Sequence, residues 1–373
     1  MKVLMIETHE FLENQDNGGR KASLRNYNLL KKAVGEENVH LCIFSNDTKS
    51  DPQANIKVFP KFRNKIEQMI AILTQTNQFM LSKRKEILDY IEELNPDVIF
   101  FDFSILGKLI TKLDKKYNTI VFMHNVERDY AYDKVKNESI FYFPFYLSYR
   151  ENEKKMMEYV DHIICFNTRD AQRVKEVYSR DTDLLVPITF KDCFEYKYID
   201  DTRTKILLFV GSNFGPNLSG ITWFVKNIMP KLPDYKLLIV GRGMEKNKDD
   251  LIAENVEVVG SVDDLSTYYY KADAMVMPIL YGGGMKVKTA EALMYGKTIF
   301  ACREALVGYD VENVENIYEC NTEKEFIESV KNYMEREDRS KYNQNVRDFF
   351  LKNYETQAIQ NDFSHFINCV GKE

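Results

Sequence analysis

The chemistry of this chain concentrates between Pro278 and Lys297, where the sequence reads PILYGGGMKVKTAEALMYGK. An apolar run, Ala274 to Met277, ends in a proline. Three glycines follow, Gly282, Gly283 and Gly284, then Met285, Lys286 and Lys288, then Glu291 in a helical pattern. Glycines let backbone N–H groups approach an anion, and a helix N-terminus adds partial positive charge. Lysines bring full charges to phosphate oxygens. A carboxylate one turn along can accept from two vicinal ribose hydroxyls. Lys288 and Glu291 are three apart and share a helix face. These residue types in this order fit a seat for a nucleoside diphosphate. The competing reading is a glycine turn before a surface helix with solvated lysines.

Other polar residues stand where apolar runs stop. His124 closes the run in Val121-Phe122-Met123-His124-Asn125-Val126-Glu127. Parallel α/β sheets place working groups at the carboxyl ends of their strands, so His124 is a candidate and not only a packed histidine. His9, His40, His162 and His365 form no ligand constellation. Asn17-Gly18-Gly19-Arg20 leads into a helical stretch, where a glycine loop and a helix N-terminus again suit an anion. Phe209-Val210-Gly211-Ser212-Asn213 ends another run, and no Lys or Arg stands between Gly211 and Thr222. Ser212 and Asn213 can donate there, and the phosphate charge falls to Lys286 and Lys288. Trp223 and Phe224 read as helix core. Arg242, between Gly241 and Gly243, is either a nucleotide contact or part of a tight turn. Ser261 and Val262, in Val259-Gly260-Ser261-Val262-Asp263-Asp264, offer backbone groups at a strand end.

Elements that could position these residues follow from the periodicity. Short apolar runs alternate with longer amphipathic stretches, the pattern of βαβ units and parallel sheets. Expected strands are Val3 to Ile6, Val39 to Phe44, Val98 to Phe103, Thr119 to Met123, His162 to Phe166 and Leu184 to Val186. A second set is Lys205 to Val210, Lys236 to Val240, Val256 to Val259, Ala274 to Met277 and Thr298 to Ala301. Helical stretches include Lys21 to Val34, Ile66 to Leu94 and Tyr146 to Tyr159. Pro187 to Arg203 lacks helical period and reads as a linker. The expected organisation is a Rossmann-like domain over 1–186, a linker over 187–203, a second Rossmann-like domain over 204–352, and a final helix in 353–373. The fold class is α/β, two doubly wound domains facing a central cleft.

Bulk numbers are ordinary for a soluble globular protein. At 373 residues the chain exceeds one ordinary core. Hydrophobic residues are 44% and charged residues 29%. The net charge of −6 gives no general affinity for nucleic acid. The six cysteines are scattered without CxxC, which suits thiols in a reducing compartment and not zinc. Neither a signal peptide nor an 18-residue apolar run is visible in the sequence.

The Pro278–Lys297 segment resembles the donor site of retaining GT-B glycosyltransferases of family 4, the glycosyl transferases group 1. That family carries Glu, seven residues, a second Glu, then A-x-x-x-G. Glu291-Ala292-Leu293-Met294-Tyr295-Gly296 matches the second half, and Gly283 stands where the first Glu would be. The resemblance implies that 1–186 binds the acceptor, that 204–352 binds the nucleotide-sugar and that the helix in 353–373 crosses back to the first domain. It also implies that Glu291 holds the ribose and that sugar contacts at Gly283 differ from the family pattern. It implies that Gly18 and Gly19 lie near donor phosphates or acceptor, and that His124 sits near the anomeric carbon. It further implies that Gly211, Ser212 and Asn213 lie where the family grips the diphosphate, and that Ser261 and Val262 read the base through the main chain.

The expected activity is transfer of a sugar from a UDP- or GDP-linked donor to a hydroxyl acceptor with retained configuration, in surface polysaccharide or glycolipid assembly. His124, Lys286 and Lys288 are the expected catalytic residues. Gly18, Gly19, Gly211, Ser212, Asn213, Arg242, Ser261, Val262, Gly282, Gly283, Gly284, Met285 and Glu291 are the expected donor site. No metal or cofactor is expected, and no nucleic-acid partner. The acceptor is a saccharide or lipid-linked saccharide, and the location is cytoplasmic. The dense aromatics of Phe141 to Arg150, with Lys61 to Lys65 and Lys83 to Lys85, suit peripheral contact with the inner face of a membrane. A sugar-nucleotide epimerase and a non-catalytic GT-B subunit supporting a partner enzyme are the alternatives.

Overall fold

The computed structural model describes residues 1–12, 18–46, 49–196, 204–282 and 284–372. It divides into two compact units, Met1–Pro187 with Ile359–Glu373, and Ile188–Ala358. Each is built on a parallel sheet. In the first, β1 (Val3–Glu7), β2 (Val39–Phe44), β3 (Ile56–Phe59), β4 (Val98–Phe101), β5 (Asn118–Met123), β6 (His162–Cys165) and β7 (Leu184–Leu185) run in the order β3-β2-β1-β4-β5-β6-β7. In the second, β8 (Ile206–Val210), β9 (Lys236–Val240), β10 (Val256–Gly260), β11 (Ala274–Met277), β12 (Thr298–Ala301) and β13 (Ile317–Glu319) run β10-β9-β8-β11-β12-β13. This is the α/β architecture of two Rossmann-like sheets that the periodicity predicts.

Both orders reverse direction once. The first sheet switches between β1 and β4, and the second between β8 and β11. At such a point the helices that follow the two strands pass to opposite faces and leave a crevice at the strand ends. The strands are apolar throughout because helices cover both faces. Alternate residues of β4 and β5 show this. Phe101, Val121 and Met123 join the core with Ile87, Ile91 and Met156. Phe100 and Phe122 point the other way, where Phe100 meets Phe363 of the last helix with ring centroids 6.4 Å apart.

The last helix, Thr356–Val370, belongs to the first unit from Ile359 onward. Gln360 Nε2 donates to the Leu29 carbonyl, and Asn118 Nδ2 donates to that of Val370. The segment read as a linker is packed in its described part. Phe194 stacks on Tyr342 at 5.1 Å, and the Arg347 guanidinium lies 4.7 Å from its ring centre.

Two expectations about elements need correction. The single helix over Ile66 to Leu94 is two, Lys65–Leu73 and Arg84–Leu94. The chain breaks at Thr74 to Asn77, where Gln75 and Asn77 take left-handed φ values of 59° and 57°. The Thr74 hydroxyl closes the first helix on the Ile70 carbonyl at 2.8 Å. Two edge strands, β3 and β13, were not expected. Both are short and half-buried, so their apolar periods are too brief to stand out.

Candidate functional site

Each sheet gathers polar side chains at its own switch point. In the second unit, the turn after β8 and the loop after β11 flank the crevice. The helix Gly215–Asn227 follows β8 and packs its Gly220 onto the second loop. A Cβ at Gly220 would stand 1.8 Å from the Pro278 carbonyl oxygen, so only glycine permits this approach. The loop then turns through Gly284, at a φ of 63°. Gly283 lies outside the described residues. Met285 is buried, and Lys286 caps the helix Val287–Met294, which carries Lys288 and Glu291.

Lys288 is half-buried. Its Nζ donates to Asn217 Oδ1 and sits 5.1 Å from the centre of the Phe209 ring. Asn217 Nδ2 in turn donates to the Ser212 carbonyl at 3.0 Å. One chain of hydrogen bonds thus joins the β11 side of the crevice to the β8 side. Loss of water around Lys288, with Lys286 beside it, pulls its ammonium down to about 7. Lys286 Nζ donates to the Gly284 carbonyl and to Glu304 Oε1, both at 2.8 Å. Tyr309 fixes the helix start by donating its hydroxyl to the Lys286 carbonyl at 2.8 Å.

Glu291 Oε2 accepts from the Tyr269 hydroxyl at 3.3 Å. The Tyr269 ring is fully buried and stacks on Tyr295 at 4.5 Å. Burial, then the Glu291 charge, keeps the Tyr269 phenol protonated well above its usual range, so it stays a donor. The neighbouring strand ends follow in order. Asn213 N donates to the Arg242 carbonyl at 2.9 Å, and Gly241 N donates to Gly260 at 2.8 Å. Gly211, Ser212, Asn213, Arg242, Ser261 and Val262 therefore all sit on the carboxyl edge of this one sheet. Asn213, Arg242 and Ser261 are exposed. Phe224 is core and Trp223 half-buried, both against Phe326.

The first unit repeats the placement. His124 follows β5 directly, buried, and stacks on Phe103 with centroids 4.1 Å apart. Its Nε2 is 3.2 Å from Asp102 Oδ2, at the end of β4. Asn26 Nδ2 donates to Asp102 Oδ1 at 2.5 Å. Glu7, the last residue of β1, is fully buried, and its Oε1 accepts from Thr8 N at 2.6 Å. His9 Nδ1 lies 3.2 Å from Glu7 Oε1, and burial, then the His124 charge, pulls His9 down to about 3. Gly18 and Gly19 open the helix Gly18–Val34 and do not form a free loop before it. Asn17 lies outside the described residues.

Asn217, Tyr269 and Glu304 in the second unit, and Glu7, Asn26 and Asp102 in the first, were not among the expected site residues. Glu7 and Asp102 had a legible signal, a carboxylate ending an apolar strand. Tyr269 and Glu304 had none, because only the fold brings them to Glu291 and Lys286.

No curated protein is recognisable as a relative of this chain by sequence. Solved structures share the fold. Sucrose-phosphate synthase from Thermosynechococcus elongatus is 14% identical with a TM-score of 0.74, covering 99% of each chain. Anabaena HepE, solved with UDP and glucose, is 11% identical at 0.68, again over 99% of each. The α,α-trehalose 6-phosphate synthase of Burkholderia multivorans is 9% identical at 0.68, over 100% of this chain and 97% of that one. This chain therefore has the fold of GT-B glycosyltransferases, and its residues 204–336 match the family model of glycosyl transferases group 1.

Proposed function

We propose that the protein is a retaining glycosyltransferase of family 4 type, moving a sugar from a nucleoside diphosphate to a hydroxyl acceptor. One observation carries the reading. Lys286, Lys288 and the start of the helix Val287–Met294 converge on the β8/β11 switch point, inside the segment that matches the group 1 model. An anion placed there meets two lysine side chains and the positive end of the helix. Glu291, steadied by Tyr269, takes the ribose hydroxyls.

When the bond between C1 and the diphosphate breaks, negative charge grows on the leaving group. Lys286 and Lys288 stabilise that charge in place, as an oxyanion hole does, without a metal ion. Backbone groups at Ser261 and Val262 serve the base. HepE was solved with UDP and glucose, which supports a UDP-linked donor. His124 serves the sugar or the acceptor.

The acceptor we favour is a saccharide on a lipid, in surface polysaccharide or glycolipid assembly at the cytoplasmic face of a membrane. Among the described residues, no helix is long and apolar enough to cross a membrane. The helix Lys65–Leu73 nevertheless shows Ile66, Met69, Ile70 and Leu73 to solvent, at helical spacing, with Ile66 73% and Leu73 70% exposed. Phe141 is 90% exposed. A cationic group adjoins that helix. Lys155 donates to Gln75 just past its end, and Lys155, Arg84 and Lys112 all bear on Lys108. Apolar side chains beside cations suit an anionic lipid surface.

The test is a thermal-shift screen against UDP- and GDP-sugars, followed by an assay for nucleotide release. A donor at 100 times its dissociation constant should stabilise by about 2.7 kcal/mol. Binding with turnover supports the reading. Binding without turnover or donor hydrolysis would favour a non-catalytic subunit.

A further inference from the structure

The carboxyl edge of the first sheet holds two carboxylates side by side. Glu7 ends β1 and Asp102 follows β4, neighbours across the switch point, and both are 0% exposed. Each has one oxygen satisfied. Glu7 Oε1 accepts from Thr8 N and His9 N, and Asp102 Oδ1 accepts from Asn26 Nδ2. Their other oxygens, Glu7 Oε2 and Asp102 Oδ2, are buried, with His124 Nε2 3.2 Å from the latter and the Ser23 hydroxyl bearing on both carboxyls. Two buried carboxylates side by side repel strongly, and a single proton between them removes the conflict.

The surroundings decide where the proton rests. Asp102 Oδ2 has the His124 Nε2 at 3.2 Å, and Asn26 holds its other oxygen. Glu7 Oε1 has the His9 Nδ1 at the same 3.2 Å, but burial keeps that imidazole neutral. The cations nearby are Lys61, whose Nζ donates to the Thr8 carbonyl, and Arg25 on the helix Gly18–Val34. Arg25 is buried, with its guanidinium 5.3 Å from the Phe122 ring centre and 5.5 Å from that of Phe166.

We propose that Glu7 is the neutral member of a shared-proton pair, donating from Oε2 to an ionised Asp102, and that Asp102 so charged orients the His124 imidazole. Glu7 and Asp102 are then positioning residues for His124. The titration tendencies run the same way. Burial and the Asp102 charge push the Glu7 carboxyl well above its usual range. Asp102 is driven upward by burial, but the His124 charge and hydrogen bond win and bring it to about 2. The role assigned to His124 rests on the glycosyl-transfer reading; the shared proton does not.

The experiment compares Glu7→Gln and Asp102→Asn with the wild type. Glutamine mimics a protonated glutamate and can still donate to Asp102, so the His124 Nε2–H resonance, read by NMR, should stay near that of the wild type. Asparagine removes the charged acceptor 3.2 Å from Nε2, so that resonance should move or be lost to exchange with water. In parallel, the infrared difference between wild type and Glu7→Gln at neutral pH should show a carboxylic-acid C=O band present only in the wild type, apart from those of Glu127 and Glu153, which burial raises to about 8 and about 7. This second measurement stands even where Asp102→Asn fails to fold. The proposal is overturned if Glu7→Gln leaves the band intact, or moves the His124 resonance as far as Asp102→Asn does. A wild type without sugar transfer but with the expected NMR and infrared results would remove the glycosyl-transfer reading and keep the pair. Where transfer is present, Asp102→Asn should lower kcat at least tenfold with donor KM little changed, a split that loss of packing alone would not give.

Discussion

Lys288 and Asn217 join the two sides of the second sheet's switch point, Nζ of one donating to Oδ1 of the other. The contact explains how a chain without cations between Gly211 and Thr222 still serves its β8 turn. Asn217 passes the link on to the Ser212 carbonyl.

The depressed Lys288 ammonium has a consequence for binding. With its pKa near 7 and the usual lysine value near 10.4, Lys288 is mostly neutral at pH 8 in the empty site. A diphosphate favours the charged form and raises the pKa, so binding at pH 8 takes up a proton. Calorimetry in buffers of different ionisation enthalpy should report uptake approaching one proton. Affinity should weaken by up to about tenfold per pH unit above 7. Lys288→Met should abolish both effects.

Glu304 neutralises Lys286 across 2.8 Å. A diphosphate must compete with that carboxylate for the ammonium. Glu304→Gln keeps the shape and removes the charge, so nucleoside diphosphate should bind more tightly, by about tenfold. An unchanged or weaker affinity would place the phosphates away from Lys286.

The Tyr269 hydroxyl donates to Glu291. Glu291→Ala should weaken nucleoside diphosphate binding by roughly 1.5–3 kcal/mol, the worth of a hydrogen bond to a charged group. Tyr269→Phe keeps the stack on Tyr295 and should cost less, about 1 kcal/mol. Equal affinities in wild type and a folded Glu291→Ala variant would remove Glu291 from the site.

The exposed stripe of the helix Lys65–Leu73 predicts sedimentation with anionic vesicles and not with neutral ones. Replacing Ile66 and Leu73 together by serine should lower the bound fraction about tenfold or more, while the fold holds because both are on the surface. Equal binding to both vesicle types, or concentration-dependent dimers lost in the same variant, would assign the stripe to another role.

The sequence made the parallel sheets legible because each long strand is a run of apolar residues bounded by glycine or polar groups. The candidate residues at strand ends, from Gly211 to Val262, were legible for the same reason. Three kinds of feature were not. Edge strands such as β13, three residues long, carry too little period. The break at Gln75 and Asn77 depends on left-handed backbone that glycine would have announced and these residues do not. Partners such as Tyr269 for Glu291 and Glu304 for Lys286 come from other strand–helix units, and sequence spacing says nothing about them. Glu7 and Asp102 lie between these cases, since strand-end carboxylates are visible but their adjacency requires knowing that β1 pairs with β4.

The most direct test of the account is calorimetric binding of a nucleoside diphosphate and of the bare nucleoside to the wild type and to a Lys286→Ala, Lys288→Ala double variant. The account predicts that the variant loses most of its affinity for the diphosphate and keeps that for the nucleoside, since Glu291 and the backbone at Ser261 and Val262 are untouched. Each lysine alone should cost roughly 10²-fold in turnover if it stabilises the leaving group as an oxyanion donor does. Loss of both ligands would report misfolding. Normal diphosphate binding by the double variant would contradict the account, because the phosphates would then sit away from the β8/β11 switch point.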